Sequence, residues 1–186
     1  MIPKKKKRGN SFRGKKLRMQ EFIEEPWTMM GAVIRLAPPF MTRQGTPDIY
    51  VLLEQEGKPL TRFDVYAGDT YSPFSAAVIW KQWVVIGFSD LLHLFSLENN
   101  NLVSRQLASY FGSLYPTQDV VLVASGTELL CFDARAKLRW QRHQLAVDGV
   151  VVQTIEDNTI FGKAAWDPPG GWHPFTLSLE SGQDIT

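Results

Sequence analysis

The apolar residues of this chain fall into short runs separated by turn-forming residues. From residue 74 onward the runs are rich in Val, Leu, Ile and aromatic residues, as in WVVIGF and VVLVAS. Ser89-Asp90, Ser125-Gly126 and Ser181-Gly182 separate them, and serine, aspartate and glycine favour tight turns. Short apolar runs bounded by such residues are typical of β-strands. The pattern therefore predicts a succession of short strands joined by tight turns.

The strand pattern repeats with a period of about 37 to 38 residues. The segment that begins at Phe74 and the segment that begins at Phe111 keep the same register along most of their length, and a third copy begins at Gly149. Repeats of this length indicate that one supersecondary unit has been copied along the chain. The predicted repeats are 74–110, 111–148 and 149–186, and residues 20–73 are a candidate for a divergent first unit.

A repeat of about 40 residues with three or four short strands is typical of one blade of a β-propeller. One small antiparallel sheet cannot cover both of its apolar faces, so neighbouring sheets must stack face to face. We therefore predict an all-β fold, a propeller-like stack of about three to four small antiparallel sheets, in a single domain over residues 19–186. Unprotected edge strands at the ends of such a stack favour a homodimer.

One copy of the repeat, VLVASGTELLCFDARAKLRWQ at residues 121–141, resembles the repeat of quinoprotein-type (PQQ-like) β-propellers. In that repeat an apolar strand, a small turn, a second strand ending in Asp and a turn leading to a Trp follow one another. The other two copies match it in part. The resemblance implies the fold more than an activity, because quinone-dependent members use more blades to hold cofactor and calcium, and we expect no cofactor here. The matching residues are Ser125, Gly126, Leu129, Phe132, Asp133, Leu138 and Trp140.

The formal net charge of +1 conceals a strong asymmetry along the chain. Nine of the twenty basic residues lie in positions 1–18, and no acidic residue precedes Glu21. The remaining chain from Met19 carries 11 basic and 19 acidic residues, a formal charge of −8. We predict a disordered basic tail over residues 1–18, which is either an arm for nucleic acid or a solvated extension upstream of a natural start at Met19. Binding of nucleic acid by the acidic remainder is disfavoured.

Sequence signatures of catalysis are absent. The chain has no P-loop, dinucleotide fingerprint or paired metal ligands, so we expect a protein that is not an enzyme and holds no metal. We place His93 on a strand, His143 on a surface strand, and Cys131 in the core as a small apolar residue. Asp64 and Asp69 are expected in a solvated loop rather than a calcium site. The chain also lacks a signal-peptide pattern and a long apolar segment, which predicts a cytoplasmic protein without a membrane contact.

The stretch AAWDPPGGWHPF, residues 164–175, holds the highest density of contact groups in the chain. Pro169-Gly170 fits a type II turn, which would make the loop stiff. Trp166 and Trp172 flank this turn. Either the two tryptophans stack across it as a structural device, or they face outward as an anchor pair, with Asp167 and His173 supplying hydrogen bonds.

These features favour a protein that acts by binding. An acidic domain with no catalytic motif resembles, at the level of class, the immunity proteins that neutralise toxins of competing bacteria, and a basic toxin domain would be attracted by its charge. The alternative is a small-molecule or carbohydrate-binding propeller in which Trp166 and Trp172 stack on the ligand. The candidate partner-binding residues are Trp166, Asp167, Trp172, His173, Glu54, Glu56, Asp64 and Asp69.

Overall fold

Four small sheets form the protein in the computed structural model, which describes residues 14–30, 33–38, 45–166 and 170–185. A single turn of 3-10 helix at Trp27–Met29 lies beside the first sheet. The first sheet contains β1 (Lys15–Gln20), β2 (Val33–Leu36), β3 (Ile49–Gln55) and β4 (Lys58–Val65). The second contains β5 (Ser75–Trp80), β6 (Trp83–Phe88), β7 (Leu91–Ser96) and β8 (Leu102–Gln106). The third contains β9 (Phe111–Pro116), β10 (Val120–Ser125), β11 (Leu129–Asp133) and β12 (Leu138–Arg142), and the fourth contains β13 (Val150–Glu156), β14 (Thr159–Trp166) and β15 (Gly171–Ser178).

The second, third and fourth sheets are antiparallel meanders in which strands consecutive in sequence are neighbours. Each of these sheets lies inside one of the three sequence repeats. The first sheet differs, because its strand order is β1-β3-β4-β2 and β2 runs parallel to β4. The expectation that every sheet is purely antiparallel is therefore wrong for this strand pair. β2 therefore lies at the edge of the first sheet opposite β1.

Both faces of the second and third sheets are covered, because alternate residues of one strand pack against opposite neighbours. In β6, Val84 and Ile86 contact the first sheet, whereas Val85 contacts the third. In β10, Val123 packs towards the second sheet and Leu122 towards the fourth. Strands that are buried on both faces read as continuous apolar runs, as the sequence of β6 and β10 does. The predicted all-β, propeller-like stack is confirmed.

The sheets approach one another most closely at their first strands. β1 contacts β5, β5 contacts β9, and β9 contacts β13. We call this side of the stack the inner edge. The chain segments that lead from one sheet into the next enter at one end of these inner strands, so residues just before β5, β9 and β13 are brought together there.

Some of the basic residues at the start of the chain belong to the first strand and not to a tail. Lys15 and Lys16 begin β1, which pairs antiparallel with β3 over its whole length. Alternation in KKLRMQ explains this, since Leu17 and Met19 pack on the core between the first two sheets while the charged residues alternate with them. The predicted tail boundary at residue 18 therefore lies within a strand, and residues 1–13 lie outside the described part of the chain.

Residues that carry the resemblance to PQQ-like repeats tie one sheet to the next. The Nε1 of Trp140 in β12 donates a 2.9 Å hydrogen bond to the carbonyl of Leu179, beyond the end of the fourth sheet. A Cβ on Gly182 would lie 2.6 Å from the Trp140 ring, so glycine is needed for this approach. Asp133 closes the preceding turn by accepting hydrogen bonds from the backbone N–H groups of Arg135 and Lys137.

Candidate binding site

The two tryptophans of the predicted loop lie on opposite faces of the β14–β15 hairpin. Trp172 pairs with Ala165, and Trp166 pairs with Gly171 one position further along. Because side chains alternate between faces, Trp166 and His173 share one face and Trp172 takes the other. Both tryptophans are exposed, but they neither stack across the turn nor form one joint anchor. Asp167 and Pro169 lie outside the described residues, so the predicted Pro169-Gly170 turn is described only at Gly170.

The acidic residues proposed from the sequence lie in or next to the first sheet, away from the tryptophans. Glu54 on β3 forms an ion pair with Arg18 on β1. Asp64 on β4 accepts two hydrogen bonds from Arg62, at 2.8 and 3.1 Å. Arg18 and Glu54 pair across neighbouring strands, whereas Arg62 and Asp64 pair along β4 itself and are both partly buried, so both carboxylates are engaged within the sheet. Glu56 occupies the β3–β4 turn, and Asp69 is exposed in the connection to β5.

The structure instead forms a cleft at the inner edge of the stack, with a volume of about 330 Å³. It opens between β9 and β13, where the connections between sheets meet. Aromatic rings from three separate segments line it, together with serines, glycines and one carboxylate. We call it the inner cleft, and its lining residues are Phe74, Tyr110, Gly112, Ser113, Tyr115, Ser125, Asp148, Gly149, Val150, Val151 and Trp172.

Gly149 places Trp172 in the inner cleft. It has φ of 141°, a conformation that residues with a side chain rarely adopt. A Cβ at this position would lie 3.1 Å from Cη2 of Trp172 and 3.7 Å from the Cβ of Ala165. The indole therefore lies across the backbone of residue 149, at the start of β13. Trp172 remains 52% exposed, so its ring is available to a partner.

Tyr110 and Asp148 form the polar part of the inner cleft. The Tyr110 hydroxyl donates a 2.9 Å hydrogen bond to Oδ1 of Asp148. Burial, and then the hydrogen bond and negative charge of Asp148, raise the pKa of Tyr110 to about 12, so the hydroxyl stays protonated at neutral pH. The Phe74 ring lies beside that of Tyr110, with 6.3 Å between centroids. At the other side, the Tyr115 hydroxyl accepts a 3.2 Å hydrogen bond from the backbone of Val152.

The exposed surface near the inner cleft continues to be aromatic and acidic. A second cleft of about 530 Å³ between the first two sheets shares Phe74 and is also lined by Tyr71, Glu21 and Asp48. Tyr71 is 85% exposed. Among the described residues that line these two clefts there are carboxylates and no lysine or arginine. The combination favours a partner that brings positive charge and flat or apolar groups.

Of the residues that line the inner cleft, the sequence analysis named only Trp172 as a candidate for binding. Phe74 directly precedes β5, Tyr110 directly precedes β9, and Asp148-Gly149 directly precede β13. These residues hold similar places relative to the first strand of their sheets. Comparing the residues just before each first strand would have exposed this aromatic and acidic set, whereas a search for local density selected the β14–β15 hairpin.

The structure also places two histidines and the cysteine that the sequence analysis considered. His93 lies on β7, as predicted, and its Nδ1 is 2.8 Å from the Ser104 hydroxyl. Burial lowers the pKa of His93 to about 4, which makes it a weak base for activating that serine at neutral pH. His143 lies in the turn after β12, so its predicted strand position is wrong. Cys131 is fully buried.

Searches for two further kinds of site cover only the described ranges. In those ranges no group of three or more His, Cys, Asp or Glu side chains is arranged to hold a metal ion. No helix there has the length and apolarity required to cross a membrane.

Comparisons with known proteins show the fold. No protein-family model matches the sequence, and no curated protein matches it either. The structure is similar to that of BamB from Moraxella catarrhalis, a β-propeller protein, with a TM-score of 0.53 and 14% sequence identity over 74% of this chain. The chain spans only 42% of that protein. The N-terminal domain of Nup159 is matched with a TM-score of 0.47 and 10% identity, over 93% of this chain and 50% of that one. At such identities the likeness to BamB shows a β-propeller-like fold and nothing of the activity.

Proposed function

We propose that this protein is a non-catalytic binding module that recognises a protein partner through the inner cleft. The observation that carries the proposal is the grouping of Phe74, Tyr110 and Trp172 around one carboxylate at the inner edge of a stiff stack of sheets. Exposed tryptophan and tyrosine residues are enriched where binding energy concentrates. Their placement at the meeting point of three connections keeps the entropy lost on binding small.

The partner in this proposal is a basic protein. The chain from Met19 carries a formal charge of −8, and carboxylates occur in both clefts of the inner edge. Electrostatic attraction would accelerate association with a basic surface. The specific hypothesis is an immunity protein that works in the cytoplasm and neutralises a basic toxin domain.

Affinity capture tests the binding site. The full chain, Trp172→Ala and Trp166→Ala are used in parallel to capture proteins from a lysate of the source cells, after circular dichroism has shown that each is folded. Trp166→Ala is the matched control, because it removes an exposed tryptophan of the same hairpin on the other face. We expect one partner to be retained by the chain and by Trp166→Ala and lost by Trp172→Ala. Equal retention by all three contradicts the proposed site.

The captured partner then tests the immunity hypothesis. Production of that partner alone should arrest cell growth, and co-production of the full chain should restore it. Restoration should fail with Trp172→Ala. A partner that is harmless on its own would refute the immunity hypothesis while leaving the binding function in place.

A carbohydrate or other small ligand is the second candidate, because Trp172 lines a cleft whose volume is near the lower end of ordinary ligand sites. Stacking of a sugar on the indole would change tryptophan fluorescence without any protein partner. A titration of the full chain and of Trp172→Ala with a panel of sugars distinguishes the two functions. A response of the full chain that is lost in the variant would favour the small ligand.

Two further expectations from the sequence, nucleic-acid binding by the tail and formation of a homodimer, are proposed beside this function and are tested separately. If the basic residues of the tail bind nucleic acid, binding should fall steeply with salt and disappear when residues 1–13, which precede β1, are deleted. If edge strands pair between two copies, the mass measured by light scattering should be that of a homodimer. Neither property is required for recognition through the inner cleft.

A further inference from the structure

The inner cleft combines aromatic faces with a carboxylate that is fixed in position. Phe74 and Tyr110 stand side by side on one wall, and Trp172 comes from the fourth sheet. The faces of aromatic rings carry partial negative charge and attract cations that lie within about 6 Å. Several rings around one small space are the arrangement that proteins use to hold an organic cation.

Asp148 supplies a full negative charge to the same space. Its Oδ1 already accepts the hydrogen bond of Tyr110, which fixes the direction of the carboxylate. No hydrogen bond to its Oδ2 is present within the described part of the chain, so this oxygen keeps its acceptor capacity for a ligand. Since Tyr110 has a pKa of about 12, its hydroxyl adds no negative charge at neutral pH and acts only to hold Asp148.

The volume of the inner cleft limits what enters it. About 330 Å³ accommodates one long side chain, whereas a helix or an extended sugar chain would need a longer groove. Among cationic side chains, arginine has a flat guanidinium that stacks on aromatic faces and donates two parallel hydrogen bonds to a carboxylate. Lysine has a compact, strongly hydrated ammonium that gains less from such walls.

We propose that the inner cleft binds an arginine side chain of the protein partner, with the guanidinium between the aromatic rings and donating to Asp148. The inference rests on the proposed function and identifies the chemical group that the site selects. It also makes Tyr110 a positioning residue, because its hydroxyl acts on the ligand through Asp148.

The test is an NMR titration of the isotope-labelled full chain with two small probes. Nα-acetyl-arginine amide carries the guanidinium, and Nα-acetyl-citrulline amide is its neutral isostere. The indole N–H signal of Trp172 is assigned from its loss in Trp172→Phe. We expect the arginine probe to shift this signal and the backbone signals of residues 148–149, and the citrulline probe to bind at least about tenfold more weakly, as the loss of a charge-assisted pair implies.

Variants test the individual contacts. Asp148→Asn keeps the shape of the side chain and should weaken the arginine probe about tenfold while leaving the citrulline probe unchanged. Tyr110→Phe keeps the ring and removes the hydroxyl, so it should weaken arginine binding by a smaller factor. Asp119→Asn is the matched control, since it removes an exposed carboxylate in the β9–β10 turn, and it should change nothing.

The outcomes separate this inference from the proposed function. Equal affinity for arginine and citrulline, an unchanged affinity in Asp148→Asn, or no response of Trp172 to the arginine probe overturns the inference. If the partner is nevertheless captured by the full chain and lost by Trp172→Ala, the proposed function stands and the site recognises another group. If capture also fails to depend on Trp172, both are wrong.

Discussion

Acid should destabilise this protein through His93, which is held neutral in the interior. The side chain has no exposed surface. Its Nδ1 contacts the Ser104 hydroxyl at 2.8 Å, and among the described residues its Nε2 has no hydrogen-bond partner. Burial lowers the pKa from 6.5 to about 4. Protonation therefore favours the unfolded state, in which the imidazole is hydrated.

The magnitude follows from the interval between the two pKa values. Above pH 6.5 His93 is neutral in both states and its contribution is complete. As the pH falls towards 4, the unfolded state binds a proton that the folded state does not, so stability decreases. Each pH unit of this interval corresponds to about 1.4 kcal/mol, which gives a loss of about 3 kcal/mol between pH 7 and pH 4. That is a large part of the 5–15 kcal/mol that stabilises a typical domain.

Urea unfolding followed by tryptophan fluorescence measures this loss. The His93→Leu variant removes the titratable group. Leucine is the natural residue at the corresponding position of the third sheet, Leu130, so it should fit the buried site. The difference in unfolding free energy between the native chain and His93→Leu should change by about 3 kcal/mol from pH 7 to pH 4. His173→Gln, which removes an exposed imidazole, is the control. Parallel pH profiles for the native chain and His93→Leu would refute the reasoning.

Three further predictions concern packing and reactivity. Gly87→Ala should destabilise the protein by about 1–3 kcal/mol, because a Cβ would lie 2.1 Å from the buried Phe111 ring. Urea unfolding of the double variant with Phe111→Leu should show that part of this stability is recovered. Additive effects of the two substitutions would contradict the contact. Cys131 should react with a chromogenic disulfide at about pH 8 only in urea, since burial raises its pKa to about 12; rapid reaction of the folded protein would be the opposite result. Trp140→Phe should cost about 1 kcal/mol by removing the hydrogen bond to Leu179, and an unchanged urea midpoint would show that this bond contributes nothing.

The strands could be predicted because their signal is local. Apolar runs such as those of β6 and β10 can be buried on both faces only between two other sheets, and the repeat of about 37 to 38 residues gave the number of such sheets. The parallel pairing of β2 with β4 could not be predicted in this way. β2 is a four-residue strand, and no pattern within it encodes its partner or its direction.

The predicted site shows the limit of reasoning from local density. Trp166, Trp172 and His173 are neighbours in the sequence, but the two-residue alternation of β-strands divides them between opposite faces of a hairpin. Glu54 and Asp64 looked like free surface charges, yet each has an arginine partner: Arg18 on the neighbouring strand β1 for Glu54, and Arg62 on the same strand for Asp64. The partner of Glu54 is fixed by the register between strands, which the composition of a segment does not reveal.

The sequence by itself determined the all-β architecture, the repeat and the acidic charge of the domain, because these follow from side-chain periodicity and counts. Tertiary structure alone decided which residues line the inner cleft. Phe74, Tyr110 and Asp148 are separated by 36 and 38 positions, and they meet only because each immediately precedes the first strand of a sheet, or lies within two residues of it. Stacking of the sheets brings the residues that precede their first strands to one edge, so the inner cleft is a product of the sheet arrangement and belongs to no single segment.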